Sequence, residues 1–578
     1  MASHDPGAFV WKEEHPDLVP AERLTAELGC PPWLAALLVR RGLTSPDAAH
    51  QWMNPKLRNL GDPWLLPDAE RAAARILQAI DAGERITVFG DYDVDGLTST
   101  ALLHDLLTRA GAQVATFLPL RMEEGYGLSA EALLRCLEET SPRLIITVDC
   151  GTTAVASVAT AQSAGIDVII TDHHETGTAT APAYALVNPR LSTDPSLHVL
   201  AGVGVAFKLA HAVLKLARQR GLTDAWVKTD PRSFLDLVAL GTVADLVPLT
   251  HENRILVHHG LQHLTATSRV GLRALIDVAR IMKDIDTYEV GFLLGPRLNA
   301  SGRLGNARMS LQLLMTDDPD EARQLATALD AANRERQQVE KAIVEELKVR
   351  VSARDLVGLH AIVEAEADWH PGVVGIVASR LVQQFYRPSI VIGMDDQGRA
   401  KGSCRSITGL NITETLAACR EHLVKFGGHA MAAGLEIEWE RLPAFRVAFE
   451  QQCRERLAGV TLQPGLAIDG WVNLDALDEK AIRWLDGMRP FGMGNPEPVW
   501  AAGGLRASGE PREVGTGHLK LVLADKAGAE RSAIGFGMYH RPVPRVLDGA
   551  FHVRVDTFRG RREIVLHLKD FRDSRSSG

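Results

Sequence analysis

The chain has 578 residues, too many for one hydrophobic core, and a typical domain of roughly 150 residues suggests three or four. Its 46% hydrophobic and 23% charged residues are those of an ordinary globular protein. No apolar run approaches the ~18 residues of a membrane span, and the N-terminus lacks a basic-then-apolar leader, so a cytoplasmic location without membrane contact is expected. The net charge of −9 argues against a uniformly basic nucleic-acid binder, although Met538 to Gly578 carries nine Arg/Lys against five Asp/Glu. Six scattered cysteines without a CxxC pair argue against structural zinc or a redox dithiol and are expected to be reduced and buried.

In chain order, an N-terminal extension (1–66) precedes a segment (67–317) in which β-branched runs alternate with helical stretches: "RITVF", "LTSTALLHDLLTRAG", "RLIITV", "TTAVASVATAQSAG", "DVIIT". Strands separated by helices of this length need crossover connections, which predicts an α/β fold with a parallel sheet. From 200 to 316 the pattern is mainly helical, and "FLDLVALGTVADLV" brings Asp245 to the end of an apolar run. Residues 318–351 contain no Gly and a single early Pro, predicting one long connecting helix, about 45 Å over ~30 residues and able to join two lobes. A second α/β domain is expected over 352–462. Short alternating runs over 463–578, such as "HLKLVLAD" and "FHVRVDTF", predict a small antiparallel barrel or sandwich.

The chemistry sits where three strands end. "GDYDVDG", "DCG" and "TDHH" each follow a strand directly, and a parallel sheet aligns its C-terminal strand ends along one edge. Asp91, Asp93 and Asp95, two apart, are expected to share a face of extended chain, a crowding that is costly without a cation. The D-x-D-x-D-G spacing also opens a calcium loop, but that loop needs a carboxylate at its twelfth position, here Leu102, and a preceding helix. A strand-edge site completed by Asp149, His173 and Asp245 fits better, and its ligand types suit manganese or magnesium. Asp149 can bridge two ions about 3.5–4 Å apart, a pair suited to phosphodiester hydrolysis because it ionises a water and stabilises charge on the phosphorus oxygens. Adjacent side chains of extended chain point to opposite sides, so His173 is assigned to metal and His174 to the scissile phosphate. Taken singly, each has a plainer reading as a helix cap, a turn aspartate or a satisfied histidine. The order of four motifs is what points to a site.

"GDYDVDG", "VDCG", "TDHH" and "GTVADLVPL", in that order, resemble the motifs of the DHH phosphoesterase superfamily. "GPRLNASGRLGNA", "WHPGVVGIVASRL", "GSCRS" and "FGGHAMAAGL" resemble its bacterial single-strand DNA exonuclease branch with a DHH-associated domain, over about Trp52 to Phe571. The resemblance implies metal ligands at Asp93, Asp95, Asp149, His173 and Asp245, with Asp91 orienting its neighbours. It also implies that Arg121, Ser403 and Arg405 hold phosphate, a terminal one for the latter two. Arg297, Asn299 and Arg303 are candidates for further phosphate contacts, as is His429 beside its Gly-rich turn. The C-terminal run resembles an OB-fold, in which Arg554, Arg559, Arg561, Arg562 and Lys569 would supply charge and Tyr539, Phe551 or Phe558 stacking. Some members carry a further domain, whereas the sequence given stops soon after the barrel. The expected activity is therefore 5′-to-3′ hydrolysis of single-stranded DNA to 5′ mononucleotides in repair and recombination, with two Mn2+ or Mg2+ ions. Single-strand-binding protein and a helicase are implied partners. The alternatives are a DHH phosphodiesterase for cyclic dinucleotides or short oligoribonucleotides, against which the extra barrel speaks, and a non-catalytic DNA-binding scaffold, which would be expected to have lost its acids.

Overall fold

The computed structural model describes residues 9 to 574 except 14–16, 121–123, 125–126, 304–306, 396 and 559–560. The chain divides into two units, Asp47–Arg334 with Asp486–Glu497, and Met1–Pro46 with Glu335–Leu485 and Pro498–Gly578.

In the first unit, strands β1 (Arg85–Gly90), β2 (Gln113–Phe117), β3 (Leu144–Val148), β4 (Asp167–Thr171) and β5 (Ala185–Val187) form one sheet in the order β2-β1-β3-β4-β5. All its neighbours are parallel. The run "LIITV" is buried at every position because β3 is covered on both faces, which is why it shows no polar alternation. Helices α1 (Ala69–Asp81), α2 (Val94–Arg109) and α5 (Gly202–Gln219) pack on one face, and α3 (Ala130–Thr140) and α4 (Val155–Ser163) on the other. The strand order reverses between β1 and β3, the point at which open parallel sheets form their ligand crevice. Gly90 stands opposite Val148 and Val148 opposite Thr171, so the three motifs that follow leave the sheet at one level.

Helix α6 (Leu235–Ala244) is buried from Leu235 to Val243 and carries Asp245 as its C-cap. It is followed by α7 (His251–Thr265) and by a π-helical turn, Glu289–Leu294, that runs directly into α8 (Gly295–Arg303). The buried Arg254 of α7 lies 3.6 Å over the Trp52 ring and donates to the carbonyls of Trp52, Gly487 and Met488, which ties the segment around residue 490 to this unit.

Helix α9 (Pro319–Ser352) belongs to the first unit up to Arg334 and to the second from Glu335. The second unit continues with β6 (Ile362–Ala365), α10 (Pro371–Phe385), β7 (Ser389–Met394), β8 (Ala400–Arg405), β9 (Leu423–Gly428) and β10 (Ala432–Ile437), ordered β9-β10-β8-β7-β6. Only β6 and β7 are parallel, so this second α/β sheet is mixed. A barrel follows: β11 (Trp500–Ala507), β12 (Arg512–Val514), β13 (His518–Ala524), β14 (Glu530–Gly535), β15 (Leu547–Phe558) and β16 (Arg561–Asp573). It closes because β13 pairs back onto β11, with Arg506 opposite Ala524.

Phe551, expected among the stacking candidates, is instead fully buried, because its position in the alternation points into the barrel. Tyr539 is exposed, as are Arg562 and Lys569, and Arg554 is half-buried. Arg559 and the side chains of Phe558 and Arg561 lie outside the described residues. All six cysteines are buried free thiols. Among the described residues no helix is long and apolar enough to cross a membrane.

Candidate metal centre

The aspartate triplet is not the extended run expected from its spacing. The chain turns after β1, and Asp93 becomes the N-cap of α2, its Oδ1 accepting from the amides of Asp95 (2.9 Å) and Gly96 (3.1 Å). Asp95 therefore lies in the first helical turn, and a tight turn rather than pleating gathers the three carboxylates. Gly96 is required there, since a Cβ would stand 2.6 Å from the Asp91 carbonyl oxygen and 2.7 Å from its nitrogen.

Asp95 is buried, and the N-terminus of α5 grips it: Gly202 N–H donates to Oδ2 at 2.6 Å and Val203 N–H to Oδ1 at 2.8 Å. Asp149 directly follows β3 with φ of 62°, a left-handed conformation that aspartate tolerates better than most residues. At the end of β4, Asp172 accepts from Thr152 N–H (2.9 Å), His173 N–H (2.8 Å) and the His174 ring Nδ1 (2.7 Å). This bend brings both imidazoles to one side, with ring centroids 4.5 Å apart, instead of on the opposite sides of an extended chain. His173 Nε2 stands 3.1 Å from Asp149 Oδ1, 3.6 Å from Asp245 Oδ2 and 3.9 Å from Asp95 Oδ2, and His174 Nδ1 lies 4.0 Å from Asp149 Oδ1.

Ligand atoms held about 2.1 Å from a common octahedral cation lie about 3 Å apart, close to these separations. Three sets each come within 4.8 Å: Asp95, His173 and Asp245; Asp91, Asp93 and Asp149; Asp149, His173 and His174. His173 Nε2 and Asp245 Oδ2 are buried without a hydrogen bond, a costly arrangement that a cation would relieve. Asp149 belongs to two of the sets, so the residues present fit a pair of divalent ions.

The titration of these groups agrees. Burial and then the neighbouring carboxylates push Asp149 well above the usual range, Asp95 to about 7 and Asp245 to about 9. Burial depresses His173 to about 4, which keeps its ring neutral. His174 moves the other way: burial opposes its charge, but the Asp172 carboxylate outweighs that and raises it. For Asp172 burial is likewise overcome by the His174 hydrogen bond, leaving it well below the carboxylate range.

Three contributors escaped the sequence reading. Asp172 was in view within "TDHH" and could have been suspected from its place at a strand end. Gly202 gave no local signal, and Gly241, which opens "GTVADLVPL", carries no donor group to mark it. A Cβ at Gly202 would lie 2.8 Å from Asp149 Oδ1 and 2.9 Å from Asp95 Oδ2, and one at Gly241 would lie 2.3 Å from Thr98 Oγ1 and 3.0 Å from Asp95 Oδ1. Gly202→Ala is therefore expected to lower phosphodiester hydrolysis by about 10–100-fold, the order of loss seen when supports of metal ligands are removed. Because alanine is the better helix former by about 1 kcal/mol, melting should show little loss of stability. Full activity would remove the close-approach argument.

The remaining candidates lie elsewhere. Arg121 and the side chain of Arg303 fall outside the described residues. Arg297 is held by Asp330 (Nε to Oδ1, 3.0 Å) and the Leu293 carbonyl (2.6 Å), which braces α8 against α9, while Asn299 is half-buried on α8. In the second unit, Arg405 donates to Ser379 Oγ (3.1 Å) and the Cys404 carbonyl (2.9 Å). It pairs with no carboxylate among the described residues, and burial lowers its pKa. Ser403 is close by, since a Cβ at Gly375 would lie 3.2 Å from Ser403 Oγ and 3.3 Å from Arg405 Nη2. His429 is exposed in the hairpin between β9 and β10, shortly before Ala432, which stands opposite Arg405. A half-buried guanidinium with no carboxylate partner among the described residues, beside a serine and the first turns of a helix, is suited to a phosphate.

A carboxylate and imidazole centre at the switch point of a parallel sheet, with a mixed-sheet domain and an OB-type barrel, defines a DHH-domain phosphoesterase. Residues 85–242 match the DHH family, N-terminal domain, 358–455 the DHHA1 domain and 468–570 the RecJ OB domain. The chain is 36% identical over 534 residues to the single-stranded-DNA-specific exonuclease RecJ of Haemophilus influenzae, covering 88% of this chain and 91% of that protein. It is 41% identical to RecJ of Bacillus subtilis over 91% of this chain, but spans only 65% of that longer relative. The crystal structure of RecJ with Mn2+ from Thermus thermophilus superposes with a TM-score of 0.82 at 32% identity, covering 98% of this chain and 79% of that one. The same protein with Mg2+ gives 0.76 at 30% identity, over 98% and 78%. The chain belongs to the RecJ family of single-stranded-DNA-specific exonucleases. These relatives do not favour the cyclic-dinucleotide reading.

Proposed function

We propose that this chain hydrolyses single-stranded DNA from the 5′ end to 5′ mononucleotides, in repair and recombination within the cytoplasm. The observation that carries the reading is the convergence of Asp91, Asp93, Asp95, Asp149, His173 and Asp245 around the shared carboxylate of Asp149. Asp93, Asp95, Asp149, His173 and Asp245 hold two Mn2+ or Mg2+ ions, and Asp91 steadies their positions. When bound, such a pair supplies a nucleophile at neutral pH and offsets the charge growing on the phosphate oxygens. The chain's own groups do the rest. The α5 amides and the Asp172 cradle fix the donors before substrate arrives, and the half-exposed His174, whose cationic form the Asp172 carboxylate favours, donates to the scissile phosphate. Ser403 and Arg405 receive the terminal phosphate, with His429 beside them, and Arg121, Asn299 and Arg303 are proposed along the backbone. Arg297 orders α8 on Asp330 and adds its charge there.

The functional division follows the sequence: an extension (1–66), the DHH domain (67–317), a connecting helix (318–351), the DHH-associated domain (352–462) and an OB-fold-like domain (463–578). Single-strand-binding protein and a helicase are the proposed partners. A 3′-labelled and a 5′-labelled 20-mer incubated with Mn2+ provide the test. Mononucleotide released first from the 5′ label is expected, and release from the 3′ label or none at all would overturn the reading. Arg405→Ala should cut the preference for a 5′-phosphorylated over a 5′-hydroxyl end by about 10-fold or more, since charge-assisted hydrogen bonds contribute roughly 1.5–3 kcal/mol. Unchanged discrimination would remove that role from Arg405.

A further inference from the structure

Just ahead of α8, the π-helical turn presents two aromatic rings to solvent. Tyr288 is 56% and Phe292 64% exposed, and their rings stack with centroids 4.9 Å apart at 26°. A free apolar pair of this size has a cost, and π-helical turns concentrate at functional sites.

Its place relative to the metal centre gives it a use. Phe292 is three residues, roughly 5 Å of helix, before Gly295, whose Cβ would lie 3.7 Å from that of Ala244, the neighbour of Asp245. At the other end of α8, a Cβ on Gly302 would come 3.3 Å from the carbonyl of Tyr92, between Asp91 and Asp93. The run from Glu289 to Arg303 thus lies alongside the two segments that carry Asp91, Asp93 and Asp245, with the ring pair at its leading end.

The backbone that carries the pair is also anchored. The buried Glu289 accepts from the Asp286 amide (2.9 Å) and meets Lys283 (2.8 Å), Thr287 Oγ1 donates to the Phe491 carbonyl (2.7 Å), and Asp286 is paired with Arg489. Rings that already stack on an anchored segment lose less entropy when a flat ligand covers them.

The geometry points to Tyr288 and Phe292 as a stacking platform for nucleobases of the strand being degraded, beside the metal centre. This rests on the exonuclease reading above. Bases are the occupant this surface suits: flat, carried on a charged backbone, and indifferent to sequence, as a non-selective nuclease requires.

Steady-state hydrolysis of a dT 20-mer with Mg2+ tests it. Phe292→Ala and Tyr288→Ala are each expected to raise KM about 10-fold, a stacked base being worth roughly 1–3 kcal/mol, with kcat changed less than about twofold. Phe292→Trp should keep the wild-type KM and Phe292→Leu should not. Anisotropy with a wholly abasic 20-mer should show the same affinity for wild type and Phe292→Ala. An unchanged KM in Phe292→Ala overturns the platform, as does an equal loss on abasic strand. Wild-type behaviour of Phe292→Leu would likewise overturn it and point to an apolar protein partner. If wild type releases nucleotides while Phe292→Ala matches it, only the platform falls; an inert wild type sinks the exonuclease reading as well.

Discussion

Replacing Asp149 by asparagine is expected to reduce single-strand hydrolysis about 10³-fold or more while making the metal-free protein harder to melt. Removing groups that merely support a metal ligand costs roughly 10–100-fold, and Asp149 is shared by two of the three donor sets, so its loss should exceed that range. The stability change has the opposite sign because the carboxyl is buried beside Asp91, Asp93, Asp95 and Asp245, which disfavour its charge. Asparagine keeps the volume and the tolerance for φ of 62°, whereas alanine would add about 1 kcal/mol of left-handed strain and blur the readout. Single-turnover assays with Mn2+ and melting in EDTA check both halves. A variant that remains active, or that melts lower without metal, contradicts the shared position.

The second large effect is a pH dependence that divalent cations reverse. Asp95, Asp149 and Asp245 have raised pKa values in the folded, metal-free protein, so their contribution to stability is fully present below about pH 4, the ordinary carboxylate range. It is lost as pH rises through about 7 for Asp95 and about 9 for Asp245. His174, also raised, acts in the same direction around neutrality. His173 is depressed to about 4 and Asp172 is depressed too, so their contributions are lost only on acidification and leave the alkaline limb untouched. The metal-free protein should therefore lose melting temperature from pH 6 to pH 8.5. Because bound cations must displace these protons, the gain from Mg2+ should grow over the same interval, by up to about 1.4 kcal/mol per proton per pH unit. Scanning fluorimetry in EDTA and in Mg2+ at both pH values measures it. A gain of equal size at both would mean that the carboxyls are already ionised in the folded protein.

Much of the architecture follows from local pattern. "RITVF", "RLIITV" and "DVIIT" are short, β-branched and separated by helix-length segments, and such strands can pair only in parallel, so the motifs after them share an edge. The gathering of Asp91, Asp149, His173 and Asp245, drawn from residues more than 150 apart, is a consequence of that edge and of the apolar run that carries Asp245. The OB-type barrel was legible in the same way, from alternation with period two.

What alternation could not supply were the turns. A spacing of two between aspartates reads as extended chain, yet the helix starts at Val94 and converts the triplet into a cap and a first turn. Two adjacent histidines read as opposed, yet the Asp172 carboxylate bends the backbone and brings their rings together on one side. Phe551 reads equally well inside or outside a strand, and only closure of the barrel buries it.

By itself the order of residues determined the sheet, the edge and the kinds of donor group, because these depend on periodicity and on chemistry carried within a few positions. Tertiary structure alone decided that α5 would aim two amides at Asp95, that glycines at 202 and 241 would leave room for it, and that Arg297 would face Asp330. Those outcomes depend on the approach of segments tens to more than a hundred residues apart, where close packing and unscreened charge act between groups that no local window contains.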